Sequence, residues 1–155
     1  MNAKSLHARL QALEDQEAVK VLKAQYCYNV DSKNWRAVAD LFTEDGVWDG
    51  EAFGRYRGRK AIYSFFSKIV PTHLSFFVHM VHNPIIKVKG NRATGVWYWT
   101  EPCTLKKTNQ AAWICGRYNE QYLKQGKRWR VKTMRLKFFY VTPYEKGWVK
   151  ERVTK

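Results

Sequence analysis

The chain has 155 residues, a formal net charge of +15 and 45% apolar residues. This length predicts one domain over 1–155, and the apolar fraction is sufficient for a hydrophobic core. Three cysteines without a CxxC spacing argue against a disulfide framework and a zinc site. No apolar run reaches the roughly 18 residues of a membrane span, and the charged N-terminus lacks a secretory signal pattern. We therefore expect an intracellular, cytoplasmic protein with no membrane partner.

The basic residues are spread along the chain. They occur at 55–60, at 106–107, at 127–132 and in the tail at 143–155. No helix-turn-helix, RNA-recognition or zinc-finger pattern accompanies them, so a nucleic-acid partner is not expected. The charge hints at an anionic small-molecule ligand, and a solvated basic surface without a specific partner is the alternative.

The first part of the chain has helical periodicity. Apolar residues at steps of three and four predict a long first helix, and two shorter helices follow it. The predicted helices cover about 5–30, 35–42 and 58–69. A turn at 43–46 separates the last two, and Pro71 is expected to end the third.

The second part of the chain has the composition of β-strands. Segments rich in β-branched and aromatic residues predict four strands at Phe76–Lys89, Arg92–Leu105, Ala111–Lys124 and Trp129–Val141. Helices followed by an antiparallel meander indicate an α+β fold rather than alternating βα units. The core would cover about 5–142, before the basic tail.

Motifs of the common cofactor and metal enzymes are missing from the sequence. It has no dinucleotide-binding glycine motif, phosphate-binding lysine loop, serine-hydrolase elbow or HExxH zinc motif. His79 and His82 lie in one predicted strand with a spacing that places their side chains on opposite faces, so they could not chelate one metal ion together. We therefore expect neither a cofactor nor a metal.

Several segments share their order and spacing with one known family. They are Tyr26–Trp35, Ala39–Gly46, Gly58–Ile62, His79–Asn83, Ala93–Tyr98, Tyr122–Val131 and Thr142–Trp148. Together they resemble the SnoaL-like proteins of the nuclear-transport-factor-2-like superfamily. The resemblance implies a cone-shaped, cystatin-like α+β barrel, in which a curved, mixed, mostly antiparallel sheet wraps around a long N-terminal helix with two shorter helices. It also implies a homotrimer or homodimer, built through the outer face of the sheet.

Within this superfamily the chain is similar to lyases of the scytalone dehydratase, bile-acid 7α-dehydratase and hexachlorocyclohexane dehydrochlorinase types. These share an acidic residue after the first helix and a histidine on the first long strand, which correspond to Asp31 and His79. Resemblance to the bile-acid enzyme adds Tyr26 and a second carboxylate, Glu101.

The substrate-binding candidates are less closely matched. Where the bile-acid enzyme has an arginine on its last strand, this chain has Phe138, so that role is unfilled or belongs to Arg117 or Arg135. Tyr28 could join Tyr26 in polarising a carbonyl or protonating a departing hydroxyl. The remaining candidates for the pocket wall are indoles: Trp48, Trp97 and Trp99.

Each candidate also has a purely structural interpretation. Asp31 could cap the second helix, and His79 could be an ordinary, partly buried histidine. Tyr26 could pack in the apolar stripe of its helix, and Glu101, which precedes Pro102, could face solvent. The remaining candidates could be core or solvated side chains: Trp97, Trp99, Arg117 and Arg135.

The chemistry that the resemblance implies is elimination. Removing a proton from carbon requires a base, and histidine titrates near neutrality; a carboxylate bound to it would fix its tautomer. The leading hypothesis is a cofactor-independent, dehydratase-like lyase with a His–Asp dyad, acting on a hydrophobic or aromatic small molecule. The alternatives are an isomerase or cyclase of the same fold, and a non-catalytic dioxygenase small subunit or dimerisation module.

Overall fold

A long helix at the start of the chain occupies the concave side of a curved sheet. The computed structural model describes residues 3–152. The first helix, α1, runs over Ala3–Asp31 and buries one stripe of side chains, among them Val19, Leu22 and Val30. Leu22 follows Val19 by three residues and Val30 follows Leu22 by eight, which is close to one and two helical turns. The three side chains therefore share the face of the helix that meets the sheet.

Short helices and seven strands follow α1. In chain order the elements are α2 (Trp35–Asp40), β1 (Phe42–Asp49), a 3₁₀ turn (Glu51–Phe53), β2 (Arg55–Arg57), α3 (Arg59–Ser64), a π-helical turn (Phe65–Ile69), α4 (Val70–His73), β3 (Leu74–Phe77), β4 (Met80–Lys89), β5 (Arg92–Leu105), β6 (Gln110–Gln125), β7 (Arg128–Pro143) and α5 (Gly147–Lys150). Within the described residues, no helix is long and apolar enough to cross a membrane.

The sheet is mixed and mostly antiparallel. Its strand order is β2-β1-β7-β6-β5-β3, and β4 also pairs with β5. Only β1 and β7 pair in parallel among the described strands. The expected fold, a curved mixed sheet around a long N-terminal helix, is confirmed.

Alternation along the long strands decides which side chains face α1. On β5 the odd-numbered positions are buried, including Trp97, Trp99 and Glu101, whereas on β6 the even-numbered positions from Ala112 to Tyr122 are buried. Successive side chains of a strand point to opposite faces, so these residues form the inner face of the sheet and their neighbours form the outer face.

The structure corrects the sequence prediction between residues 41 and 49. Phe42 was expected in a helix and 43–46 in a turn, but α2 ends at Asp40 and β1 covers Phe42–Asp49. This strand pairs with β7, which lies far along the chain, so its stabilising partners are invisible to a local pattern. Asp31 was considered as the N-cap of α2, but the N-cap is Asn34. Its side chain accepts a hydrogen bond from the backbone N–H of Ala37.

Two further predictions are wrong between the third helix and the strands. Pro71 does not end the helix, because the backbone widens into the π-helical turn just before it and continues to His73. A π turn shifts the hydrogen-bond pattern, which accommodates a residue without an N–H. The predicted strand over 76–89 is divided into β3 and β4, and Val78 and His79 lie between them.

Candidate active site

An aromatic cavity lies beside the C-terminal end of α1. The space between its walls and at its mouth is about 500 Å³, open solvent included. Its walls are mainly aromatic rings: Tyr26, Trp48, Phe53, Phe65, Phe66, Phe77, Trp99, Tyr118 and Phe138. Two ionisable side chains, His79 and Glu101, also face it. Mostly apolar walls with a few placed polar groups are typical of small-molecule sites.

Asp31 and His79 are joined by a network of three contacts. Asp31 is the last residue of α1, and its Oδ1 lies 2.8 Å from Nδ1 of His79. Both oxygens of the same carboxylate also accept from the backbone N–H of His79, each at 3.1 Å. Since a carboxylate accepts, the proton is assigned to Nδ1, and Nε2 is the nitrogen on the opposite side of the ring.

Glu101 approaches His79 on that opposite side. Its Oε2 lies 3.4 Å from Nε2 of His79 and accepts a hydrogen bond of 3.1 Å from Nε1 of Trp99. The imidazole therefore lies between two carboxylates, one from the end of α1 and one from β5. The histidine and glutamate side chains are buried, with 9% and 8% exposed, while that of Asp31 is 21% exposed.

This environment raises the pKa of His79. Burial alone would lower the pKa, because it disfavours the charged imidazolium, but the Glu101 charge and the hydrogen bond to Asp31 more than offset it. The net result is a pKa above the ordinary value of 6.5. A more basic imidazole has a greater driving force for accepting a proton, although its neutral form is populated only at higher pH.

Tyr26 presents a neutral phenol to the cavity. Its hydroxyl accepts from Nε1 of Trp48 at 3.2 Å, and its ring lies edge-on to His79 with centroids 6.2 Å apart. Burial raises the pKa of Tyr26 well above 10, so the hydroxyl keeps its proton at neutral pH. The arrangement leaves this hydroxyl suited to donate to a substrate oxygen.

Trp99 and Phe138 form one wall of the cavity. The position of the Trp99 indole requires a glycine on the neighbouring strand. The two aromatic rings are edge-to-face with centroids 5.4 Å apart. Gly116 of β6 pairs with Trp99, and a Cβ at Gly116 would lie 2.1 Å from Cζ3 of the indole and 2.4 Å from the carbonyl oxygen of Lys137. Only glycine therefore lets the indole lie flat against β6 at this point.

Sequence interpretation missed Tyr118, which forms the cavity floor. It is 1% exposed, and its ring lies 4.6 Å from Trp99, centroid to centroid. Alternation along the predicted strand 111–124 could have identified it, because Tyr118 shares a face with Ile114, another cavity residue. Phe65 and Phe66 were assigned to the third helix, without a role in the pocket.

Below Tyr118 lies a buried ion pair that sequence interpretation also missed. Nζ of Lys23 is 2.7 Å from Oε1 of Glu120, and both side chains are almost completely buried. The ammonium lies 3.2 Å from the centroid of the Tyr118 ring, as a cation–π contact. Glu120 also accepts from Tyr122, so both ends of the pair have partners.

Four predicted binding residues lie outside the cavity. Tyr28 is 74% exposed, because an α-helix turns about 100° per residue and its side chain points away from that of Tyr26. Trp97 faces inward but lies deeper in the core, where its Nε1 donates to Tyr122. Arg117 and Arg135 occupy outward positions of their strands, opposite to the cavity. These four residues therefore do not line the cavity, contrary to the prediction.

The other candidates share one region. His79, Tyr26, Glu101, Trp48, Trp99 and Phe138 all line the cavity, and Asp31 lies directly behind His79. Their roles in catalysis or binding stay predictions. In the described part of the chain, no group of three or more His, Cys, Asp or Glu side chains is placed to hold a metal ion.

The comparisons with known proteins agree with this fold. A family model for the SnoaL-like domain matches residues 11–135, so the chain belongs to the SnoaL-like domain family. The family expected from the sequence is thereby confirmed. No match was found among curated protein sequences.

Solved structures resemble the chain over most of its length. A hexachlorocyclohexane dehydrochlorinase from Novosphingobium barchaimii is 21% identical, with a TM-score of 0.82 over 87% of this chain and 93% of its own. A candidate scytalone dehydratase from Novosphingobium aromaticivorans is 21% identical, with a TM-score of 0.77 over 85% and 89%. A nuclear-transport-factor-2-like protein with a cystatin-like fold from the same organism is 24% identical, with a TM-score of 0.74 over 87% and 88%. At these identities the likeness establishes the fold.

Proposed function

We propose that the protein is a cofactor-independent lyase. It would remove a proton from a carbon atom of a hydrophobic, ring-containing small molecule and expel a leaving group from the adjacent carbon. The observation that carries the proposal is the 2.8 Å contact between Asp31 and His79 at the wall of an aromatic cavity. A histidine oriented by a carboxylate is an arrangement suited to proton transfer.

In the proposed reaction, Nε2 of neutral His79 takes the proton from carbon. The electron pair of the broken C–H bond forms the new double bond, and the leaving group departs with the electrons of its own bond. Asp31 stabilises the imidazolium that forms, as a carboxylate does in other histidine-based catalysts. In a dehydration, the imidazolium then returns the proton to the departing hydroxide, so water leaves and His79 is neutral again.

Tyr26 and Glu101 would assist at the leaving group. The Tyr26 hydroxyl can donate a hydrogen bond to a departing oxygen or to a carbonyl that gains negative charge. Glu101 would hold the imidazolium after proton transfer, because Oε2 lies 3.4 Å from Nε2. The similarity to a hexachlorocyclohexane dehydrochlorinase and a candidate scytalone dehydratase makes hexachlorocyclohexane and scytalone the first substrates to try.

A surrogate reaction tests the base without knowledge of the natural substrate. 5-Nitrobenzisoxazole is a neutral ring compound that opens to a coloured nitrophenolate when a base removes its ring proton. We expect the His79→Gln variant to lose about 10²- to 10⁴-fold of the catalysed rate. The matched control is His82→Gln, because His82 is exposed and lies outside the cavity wall.

Equal rates for the wild type and His79→Gln would reject the proposal and favour a non-catalytic module. With scytalone or hexachlorocyclohexane, release of water or chloride would identify elimination. An isomerase begins with the same proton removal, but its product retains the mass of its substrate, which mass spectrometry distinguishes.

A further inference from the structure

We infer that this cavity selects electrically neutral ring compounds and excludes anions, and that Glu101 sets this selectivity. The inference rests on the proposed function, because it places the substrate in the aromatic cavity. It runs against the expectation from composition, in which a net charge of +15 favours an anionic ligand. The charges that a bound molecule would meet differ from the charges of the surface.

The ionisable groups at the cavity wall carry net negative charge. Glu101 and His79 face the cavity, and Asp31 contacts His79 from behind. Two carboxylates share one imidazole, so the group is negative whether His79 is protonated or neutral. A bound carboxylate or phenolate would be close to Glu101, whose side chain is 8% exposed, and repulsion between like charges is weakly screened at a buried group.

Among the described residues, no cation contacts this charge from the cavity side. Of the described residues, neither a lysine nor an arginine lines the cavity. The ammonium of Lys23 lies behind the Tyr118 ring, and its charge is already matched by Glu120 at 2.7 Å. Because the Lys23 side chain is 1% exposed, a ligand cannot contact it directly.

The two arginines that the sequence offered as substrate-binding residues are on the other side of the sheet. Arg117 and Arg135 occupy outward strand positions, and Arg135 lies 3.9 Å from Asp49. Solvent-exposed charges are screened over about 8 Å at physiological ionic strength. They can attract anions to the surface but do not provide a partner for an anion inside the cavity.

The existing hydrogen bonds of Glu101 reduce the advantage that the negative charge would give to a cation. The aromatic walls, which include Trp48 and Trp99, would pack around a flat, apolar molecule. Glu101 already accepts from Trp99 and lies beside His79, so it is less available to an incoming ammonium. A neutral ring with one hydroxyl or carbonyl group needs no charged partner and can bind the Tyr26 hydroxyl.

The test is a set of matched ligands that differ in charge. Isothermal titration calorimetry at pH 7.5 in 0.15 M salt would compare 2-naphthamide, 2-naphthoate and 2-naphthylmethylammonium. For the wild type we expect the amide to bind at least about 10-fold more tightly than the carboxylate, because like charges at a desolvated contact repel strongly. The salt screens attraction of naphthoate to the basic surface.

The Glu101→Gln variant keeps the side-chain shape and removes the charge. We expect it to bind 2-naphthoate more tightly, so that the ratio of the dissociation constants of naphthoate and amide falls by about 10-fold. The matched control is Glu17→Gln, an identical substitution at an exposed site on α1, where the ratio should stay as in the wild type.

The proposal is overturned if the wild type binds 2-naphthoate as tightly as the amide, if it prefers the ammonium, if it binds none of the three, or if Glu101→Gln leaves the ratio unchanged. Failure of the lyase proposal has a different outcome. In that case His79→Gln would match the wild-type rate in the elimination assay, while the preference for the amide would persist.

Discussion

Two groups of buried charges lie about two helical turns apart along α1, and they differ in balance. Near the cavity, His79 is shared by two carboxylates, Asp31 and Glu101. Deeper in the core, Lys23 pairs with Glu120 alone, and neither is in contact with solvent. The deeper pair is charge-matched and closed, whereas the group at the cavity has excess negative charge and borders open space. The deeper pair therefore has no access to a ligand, whereas the group at the cavity is the one for which we propose proton transfer.

The largest effect is expected from breaking the deeper pair. Glu120→Gln leaves the Lys23 ammonium buried without a counter-charge, and we expect a loss of about 3–5 kcal/mol in the free energy of unfolding, measured by urea denaturation. The double variant Lys23→Met/Glu120→Gln should recover much of this loss, because it removes the unpaired charge. A loss below about 1 kcal/mol in the single variant would contradict the role assigned to the pair.

The corresponding change at the cavity should affect activity more than folding. Asp31→Asn removes the charge that orients His79 and stabilises its imidazolium, so we expect about 10²-fold slower turnover of 5-nitrobenzisoxazole or more. Urea denaturation would measure the accompanying loss of stability, which we expect to be smaller than that of Glu120→Gln. Unchanged turnover would mean that the contact between Asp31 and His79 is only structural.

The protonation of His79 should make the reaction rate depend on pH. Because its pKa is raised, the rate should increase with pH through a midpoint above 6.5, as the neutral base forms. The Glu101→Gln variant removes the largest contribution that raises this pKa, so the midpoint should move to lower pH. NMR titration of the His79 ring in both proteins measures the shift, and a midpoint that does not move would contradict the proposed charge coupling.

The raised pKa of His79 also makes the stability of the fold depend on pH. Stability should decrease with rising pH, whereas the rate should increase. A histidine with a higher pKa in the folded protein stabilises the fold fully below its unfolded value near 6.5. This contribution is lost as the pH rises through the folded pKa, whereas His79→Gln should lack that part of the pH dependence. Urea denaturation of both proteins at a series of pH values measures the difference.

The smallest effect is expected from Tyr26→Phe. This change keeps the ring and removes the hydroxyl that accepts from Trp48, which leaves the indole N–H without its partner. We expect a loss of about 0.5–1.5 kcal/mol in the free energy of unfolding. Substrates that carry a hydroxyl or carbonyl should also be turned over more slowly, whereas 2-naphthoate exclusion should persist, because Glu101 is unchanged.

Periodicity predicted the elements whose contacts follow regular spacing. The long helix and the strands β5, β6 and β7 were predicted with nearly their observed bounds. The strand β1 was missed because its first part, at 43–46, has the composition of a turn, and its partners Val131–Arg135 lie far along the chain. A parallel pair of this kind has no local signal.

The residues that came from matched motifs lie in one region, whereas residue type alone gave a mixed result, because Trp48 and Trp99 line the cavity but Trp97 does not. Asp31 and His79 lie together, as the resemblance implied, although their catalytic role is a prediction. Arg117 was proposed as a replacement for the arginine of the bile-acid enzyme, yet alternation along its strand points it away from the face that Tyr118 occupies. Lys23 lies in the apolar stripe of α1, which was a detectable signal, but its partner Glu120 could not be identified without the fold.

The glycine beneath Trp99 has a consequence for how ligand preference could change in related proteins. The depth of the cavity depends on an indole that rests where residue 116 has no side chain. Replacing Gly116 by a larger residue would push the indole inward and reduce the space for a ligand, although no group that contacts the ligand would have been substituted. Divergence in substrate size can therefore begin at a position outside the binding surface, which a comparison of cavity-lining residues alone would overlook.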